Sequence, residues 1–98
     1  MTSKSEKNTL KEILIYVNYI NTNDTKSLIV GINKTVKELK KEIEVLFNLS
    51  YSLDEIFLRV KRPGMLTGKL IFEEDKTLFE NHFKPECLVV FGKEKLRG

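Results

Sequence analysis

Three features of this sequence predict a two-layer α+β domain, with one helix packed across a mixed sheet of four to five strands. The first is a pair of short β-branched and apolar runs, Ile13–Val17 and Ser27–Val30, on either side of a polar interval. The second is a capped amphipathic segment from Asn33 to Phe47, and the third is a late apolar run, Cys87–Phe91. At 98 residues the chain has room for one core and not for two. Apolar residues make up 41% and charged residues 32%, a balance that lets a chain bury enough surface to fold.

Met1 to Thr9 is polar and Lys-rich with nothing to bury, so residues 1–9 are expected to form a disordered arm or to be foreign to the domain. The domain is placed at 10–92, and the charged stretch 93–98 is read as a flexible tail. Ile13-Leu-Ile-Tyr-Val17 and Ser27-Leu-Ile-Val30 flank Asn21-Thr-Asn-Asp-Thr25, which is a hairpin signal. The period then becomes helical: Val36, Leu39, Ile43, Leu46 and Phe47 share one face. Thr35 and Glu38 have the T-x-x-E spacing of a capping box, which marks the start. Lys37, Lys40 and Lys41 are assigned to the solvent side of this helix.

Beyond the helix, Ile56-Phe-Leu-Arg-Val60 is a strand candidate, and Pro63-Gly64 marks a turn or exposed loop over Arg62–Gly68. Leu70-Ile-Phe72 is a further short strand. Asp75–Phe83 has the look of a turn with a short helical piece, and Cys87–Phe91 suits a central strand. Large residues such as Phe57, Phe72, Phe83 and Phe91 are expected to carry much of the stability of so small a core.

This order resembles ubiquitin and its relatives, the β-grasp family, from about Ile13 to Phe91. The residues that carry the likeness are Thr35, Val36, Leu39 and Ile43 of the helix, then Leu49 and Ile56, in step with the family's spacing. Thr77-Leu78, Phe83, Val89 and Phe91 match its later part, and Gly68-Lys-Leu70 with Glu74-Asp-Lys-Thr-Leu78 is similar to a region common in such modules. Two departures stand out: the loop Lys61–Thr67 and the first hairpin turn are both longer than in ubiquitin. Such insertions are more typical of modules embedded in larger proteins, ubiquitin-specific proteases among them.

The resemblance implies that the last strand lies between the first and the third. Strand alternation then turns Ile15, Val17, Leu28, Val30, Ile56, Leu58, Val89 and Phe91 toward the helix. It leaves Leu14, Tyr16, Phe57, Leu88 and Val90 as neighbours on the outer face, where Phe57 and Val90 would match the family's recognition patch and Tyr16 a second small patch. Rimmed by Arg59, Lys61 and Lys93, this cluster is a partner-binding candidate, because apolar anchors supply most interface energy while rim charges steer. Scattered surface apolar residues also occur without any function.

The resemblance therefore implies a non-catalytic interaction module of a larger intracellular protein. Its expected partners are ubiquitin-pathway components or a neighbouring catalytic domain, such as that of a deubiquitinating enzyme. Two alternatives stay open. Leu96-Arg-Gly98 is similar to the end of ubiquitin and would make Gly98 a conjugation site of a free-standing modifier, though a second glycine is absent. Another β-grasp adaptor, of the Ras-associating or PB1 type, would bind through the edge strand Ser27–Val30 or through opposed charged faces.

No catalytic residue, metal ligand or cofactor is expected. Cys87 is the single cysteine and His82 the single histidine, so no disulfide or Cys/His metal cluster can form within the chain. Cys87 opens an apolar strand and is read as a small buried hydrophobe. The net charge of +3 is mild and Glu73-Glu-Asp75 sits among the basic residues, so a nucleic-acid surface is not expected. With no apolar run near the roughly 20 residues of a membrane span, no membrane contact is expected either. A cytoplasmic or nuclear monomer is the resulting expectation.

Overall fold

The computed structural model describes residues 11–92, and their elements follow the order β1 (Glu12–Tyr19), β2 (Asp24–Gly31), α1 (Val36–Leu46), β3 (Arg59–Lys61), β4 (Lys69–Leu70) and β5 (Leu88–Phe91). Together the strands form a five-stranded sheet in the order β2-β1-β5-β3-β4. β1 pairs with β2 antiparallel, β5 runs parallel to β1 and antiparallel to β3, and β3 pairs with β4 antiparallel. The last strand is therefore central, flanked by the first and third, as the resemblance implied.

The hairpin is longer than the two apolar runs that signal it. Its ladder runs from Glu12↔Gly31 to Tyr19↔Asp24, so only the stretch from Ile20 to Asn23 is left for the turn. Asn23 takes a φ of 59° there, a left-handed conformation that asparagine tolerates.

α1 begins where the T-x-x-E spacing places it. Thr35 Oγ1 accepts from the Glu38 amide at 3.2 Å, and Glu38 Oε1 accepts from the Thr35 amide at 2.9 Å. Phe47 ends the helix, with its amide donating to the Ile43 carbonyl, and Asn48 follows with a φ of 53°.

Thr77 and Glu80 repeat the capping arrangement: Thr77 Oγ1 accepts from the Glu80 amide at 3.0 Å and Glu80 Oε1 from the Thr77 amide at 2.9 Å. No helix follows them, in contrast to the short helical piece expected. The Asn81 amide closes one turn on the Thr77 carbonyl, and His82 at a φ of 63° then reverses the chain. The turn is tied to the helix start by the Thr35↔Thr77 bridge and by the Leu78 amide donating to the Lys34 carbonyl at 2.8 Å.

The core lies between the sheet and α1. Ile15, Val17, Val30, Leu58, Val89 and Phe91 are buried as alternation requires, with Val36, Leu39 and Ile43 above them, while Leu28 and Ile56 are half-buried at its margin. Leu53, Leu78, Phe83 and Cys87 close its ends. An aromatic group seals one side: the Tyr19 ring stacks on Phe91 at 4.8 Å, and Phe47 meets both edge-on.

Three further expectations are corrected. The third strand starts at Arg59 and not at Ile56, because its register pairs Arg59 with Val90 and the partner strand ends one residue later at Phe91. Phe57 and Phe72 are exposed and pack on each other at 4.9 Å, so of the four phenylalanines only Phe83 and Phe91 belong to the core. Lys40, assigned to the solvent side, is 1% exposed. It occupies the core stripe with Val36, Leu39 and Ile43, and its Nζ lies 2.6 Å from Glu74 Oε2 and 5.9 Å from the Phe57 ring centroid.

Candidate functional site

The sheet has one face under the helix and a second face turned away from it. Register fixes what the second face carries. Tyr16 sits opposite Leu88 on one side and Ser27 on the other, Leu14 opposite Ile29, Val90 opposite Arg59, Lys61 opposite Leu88, and Leu70 opposite Arg59. These residues share a parity, and none is fully buried: Tyr16 is 37% exposed and Ile29 63%, while Leu14, Leu70, Leu88 and Val90 are half-buried. Ile29, Leu14, Tyr16, Leu88 and Val90 thus form an apolar band over β2, β1 and β5, bordered by the polar Ser27 and Asn18 and separated from Leu70 on β4 by the cations of β3.

Of the residues singled out from the sequence, Tyr16, Leu88, Val90 and Arg59 are brought together on this face. Phe57 is not part of the paired ladder; it meets Phe72 edge-on, and the residue across from Val90 is Arg59. Lys61 takes the place beside Leu88. Lys93 and Gly98 lie outside the described residues. Ile29 and Leu70 belong to the face and were missed. Ile29 was legible, since alternation that turns Leu28 and Val30 inward must turn Ile29 outward.

A shallow groove of about 390 Å³ borders the band, with Tyr16, Leu88 and Met65 offering apolar surface and Lys61, Arg62 and Glu86 the charged part of its lining. Its wall is the segment Arg62-Pro-Gly-Met65, closed by the Met65 amide donating to the Arg62 carbonyl at 3.0 Å. Gly64, at a φ of 89°, supplies the conformation that a type II turn needs after proline. Arg62 Nε also donates to Met65 Sδ at 3.3 Å. Arg59 lies flat along the hairpin, its guanidinium donating to the Gly68 carbonyl at 3.3 Å. A side chain at position 68 would collide with it, since a Cβ there would stand 2.5 Å from Arg59 Cγ.

Cys87 is buried, and burial pushes its thiol up from the ordinary value, which disfavours the thiolate a nucleophile needs. Among the described residues no group of three or more His, Cys, Asp or Glu side chains could hold a metal ion, and no helix is long and apolar enough to cross a membrane.

No family model matches the chain, and no curated protein matches it. Solved structures do. The C-terminal ubiquitin-like domain of mouse tubulin-specific chaperone e is similar with a TM-score of 0.75 at 10% identity, covering 92% of this chain and 94% of that one. A ubiquitin-like domain from tubulin-binding cofactor B is similar with a TM-score of 0.73 at 10% identity, over 85% of this chain and 90% of that one. Tubulin-binding cofactor B of Trypanosoma brucei is similar with a TM-score of 0.72 at 11% identity, over 89% of this chain and 100% of that one. At such identities the shared property is the fold. With its single helix on a five-stranded mixed sheet and its last strand in the middle, the chain has the ubiquitin-like β-grasp fold.

Proposed function

We propose that the domain is a non-catalytic protein-interaction module that docks a partner on the outer face of its sheet. The observation that carries this reading is the adjacency of Tyr16, Leu88 and Val90 on a face that the fold leaves uncovered while its opposite face is sealed by α1. Aromatic and aliphatic anchors with a charged rim are the composition of a recognition surface.

The similarity to ubiquitin-like domains of tubulin cofactors supports a module that is part of a larger protein. A ubiquitin-pathway partner, expected from the sequence resemblance, gains no support from these neighbours. A cofactor-type assembly, in which the domain positions a client or a neighbouring domain, is the partner setting this reading favours.

The test is proximity crosslinking in cells with the wild-type domain and a Tyr16→Ala/Leu88→Ala variant, each within its full-length chain. Circular dichroism first establishes that the variant keeps its fold. Partners lost specifically by the variant are the expected result; an unchanged set of crosslinked partners overturns the reading.

A further inference from the structure

Ten of the twelve Lys and Arg side chains among the described residues fall into two groups. Lys26, Lys34, Lys37, Lys40, Lys41 and Lys76 each face a carboxylate, at Asp24, Glu42, Asp75, Glu74, Asp54 and Glu73 respectively. The hairpin from Arg59 to Lys69 carries Arg59, Lys61, Arg62 and Lys69 and no acidic residue, and among the described residues none of these four enters an ion pair. Lys11 and Lys84 also enter no ion pair among the described residues, but each stands alone in the sequence, whereas the hairpin gathers four such cations beside the apolar band.

The same hairpin is stiff where it meets the groove. Pro63 and Gly64 preset the turn, Arg62 is held to Met65, and Arg59 is held to Gly68. Cations on a preset backbone lose less freedom on binding than cations on a loose loop. The groove beside them has aliphatic and aromatic surface from Leu88, Met65 and Tyr16.

We propose that this groove receives a linear, acidic segment of a partner protein, with an aliphatic side chain seated against Tyr16 and Leu88 and carboxylates paired with Lys61 and Arg62. The proposal rests on the docking reading above and names the chemistry of the partner. Arg59, opposite Val90, adds a further cation on the adjoining face, whereas Glu86 in the lining repels a carboxylate placed next to it. A nucleic-acid occupant fits less well. Tyr16 is the single aromatic ring in the groove, so there is no run of stacking platforms, and the acid in its lining disfavours a phosphate backbone.

The experiment measures fluorescence anisotropy of a fluorescein-labelled peptide of alternating Glu and Leu on the full chain. Comparison probes are a Glu/Gly peptide, a Lys/Leu peptide and a single-stranded oligothymidylate. The Glu/Leu peptide should bind tightest, and its affinity should fall with added salt. Lys61→Glu/Arg62→Glu should weaken it by about tenfold or more, and Lys61→Gln/Arg62→Gln by less.

An affinity unchanged by charge reversal, or oligothymidylate bound as tightly as the Glu/Leu peptide, overturns the proposal. Failure of the docking reading looks different. If Lys61→Glu/Arg62→Glu keeps the crosslinked partners that Tyr16→Ala/Leu88→Ala loses, the face docks partners but they are not acidic. If neither variant loses any, the face itself is wrong.

Discussion

Replacing Glu74 with Gln is expected to destabilise the domain by about 3 kcal/mol, while replacing Lys40 with Met costs about 1 kcal/mol or less. The asymmetry follows from where the two charges sit. The Lys40 side chain is 2% exposed and that of Glu74 13%, with 2.6 Å between Nζ and Oε2. Remove the carboxylate, and the ammonium stays enclosed beside the Phe57 ring with a neutral amide in place of its counter-charge. Remove the ammonium instead, and methionine fills the same volume in the core stripe while Glu74, nearer the surface, can recover water. A domain of this length has roughly 5–10 kcal/mol of stability in total, so the Glu74 variant loses a large share of it. Urea unfolding followed by circular dichroism at neutral pH measures both variants, with the slope on denaturant checked against wild type. The double variant, Lys40→Met/Glu74→Gln, should recover most of the loss. Equal losses for the two single variants, or a loss below about 1 kcal/mol for Glu74→Gln, would refute the placement of Lys40 as a buried charge.

Thr35→Ala removes the Oγ1 that accepts from the Glu38 amide, while its own amide can still donate to Glu38 Oε1, and should cost about 1 kcal/mol, read as a fall of about 4–8 °C in Tm. Because burial raises the Cys87 thiol above its ordinary value of 9.0, the folded state holds that proton more tightly than the unfolded state does. The contribution is complete below pH 9.0 and lost as pH rises through the folded value, so stability falls on the alkaline side in wild type and less so in Cys87→Ala. The same burial predicts that an aromatic disulfide reagent labels Cys87 far more slowly in native protein than in urea. Gly68→Ala drives a methyl into Arg59, so the guanidinium must leave the Gly68 carbonyl. Stability should drop by about 1 kcal/mol, and acidic-peptide affinity should drop with it in the anisotropy assay.

The elements that local chemistry specifies were legible in the sequence. α1 announces itself by Thr35 and Glu38, whose bonds to each other form within one turn, and by an apolar stripe at helical spacing. Alternation in Ile13–Val17 and Ser27–Val30 assigns inner and outer faces without knowledge of any partner. What was hidden depends on contacts distant in the chain. The start of β3 is set by the end of β5, about thirty residues later, so Ile56 and Phe57 carry strand-like composition outside the ladder, and Leu58 keeps only the bond its carbonyl accepts from the Ile71 amide. Phe57 was misplaced for the same reason. Lys40 is a mixed case: positions 36, 39, 40 and 43 form the stripe that a helix buries, so the spacing marked the site, but only the fold brings Glu74 to it.

The separation between paired and unpaired cations implies that salt should act on stability and on recognition in different ways. Lys40–Glu74 is enclosed, so mobile ions screen it little, and the exposed pairs at Lys37–Asp75 and Lys76–Glu73 contribute little to begin with. Raising the ionic strength should therefore move the urea midpoint only slightly. The hairpin cations meet their counter-charges at a solvent-exposed face, where screening is strong. Salt should weaken acidic-peptide binding steeply over the same range. A urea midpoint that fell in parallel with peptide affinity would mean that the hairpin charges are part of what holds the fold together, and would remove the ground for treating them as a recognition surface.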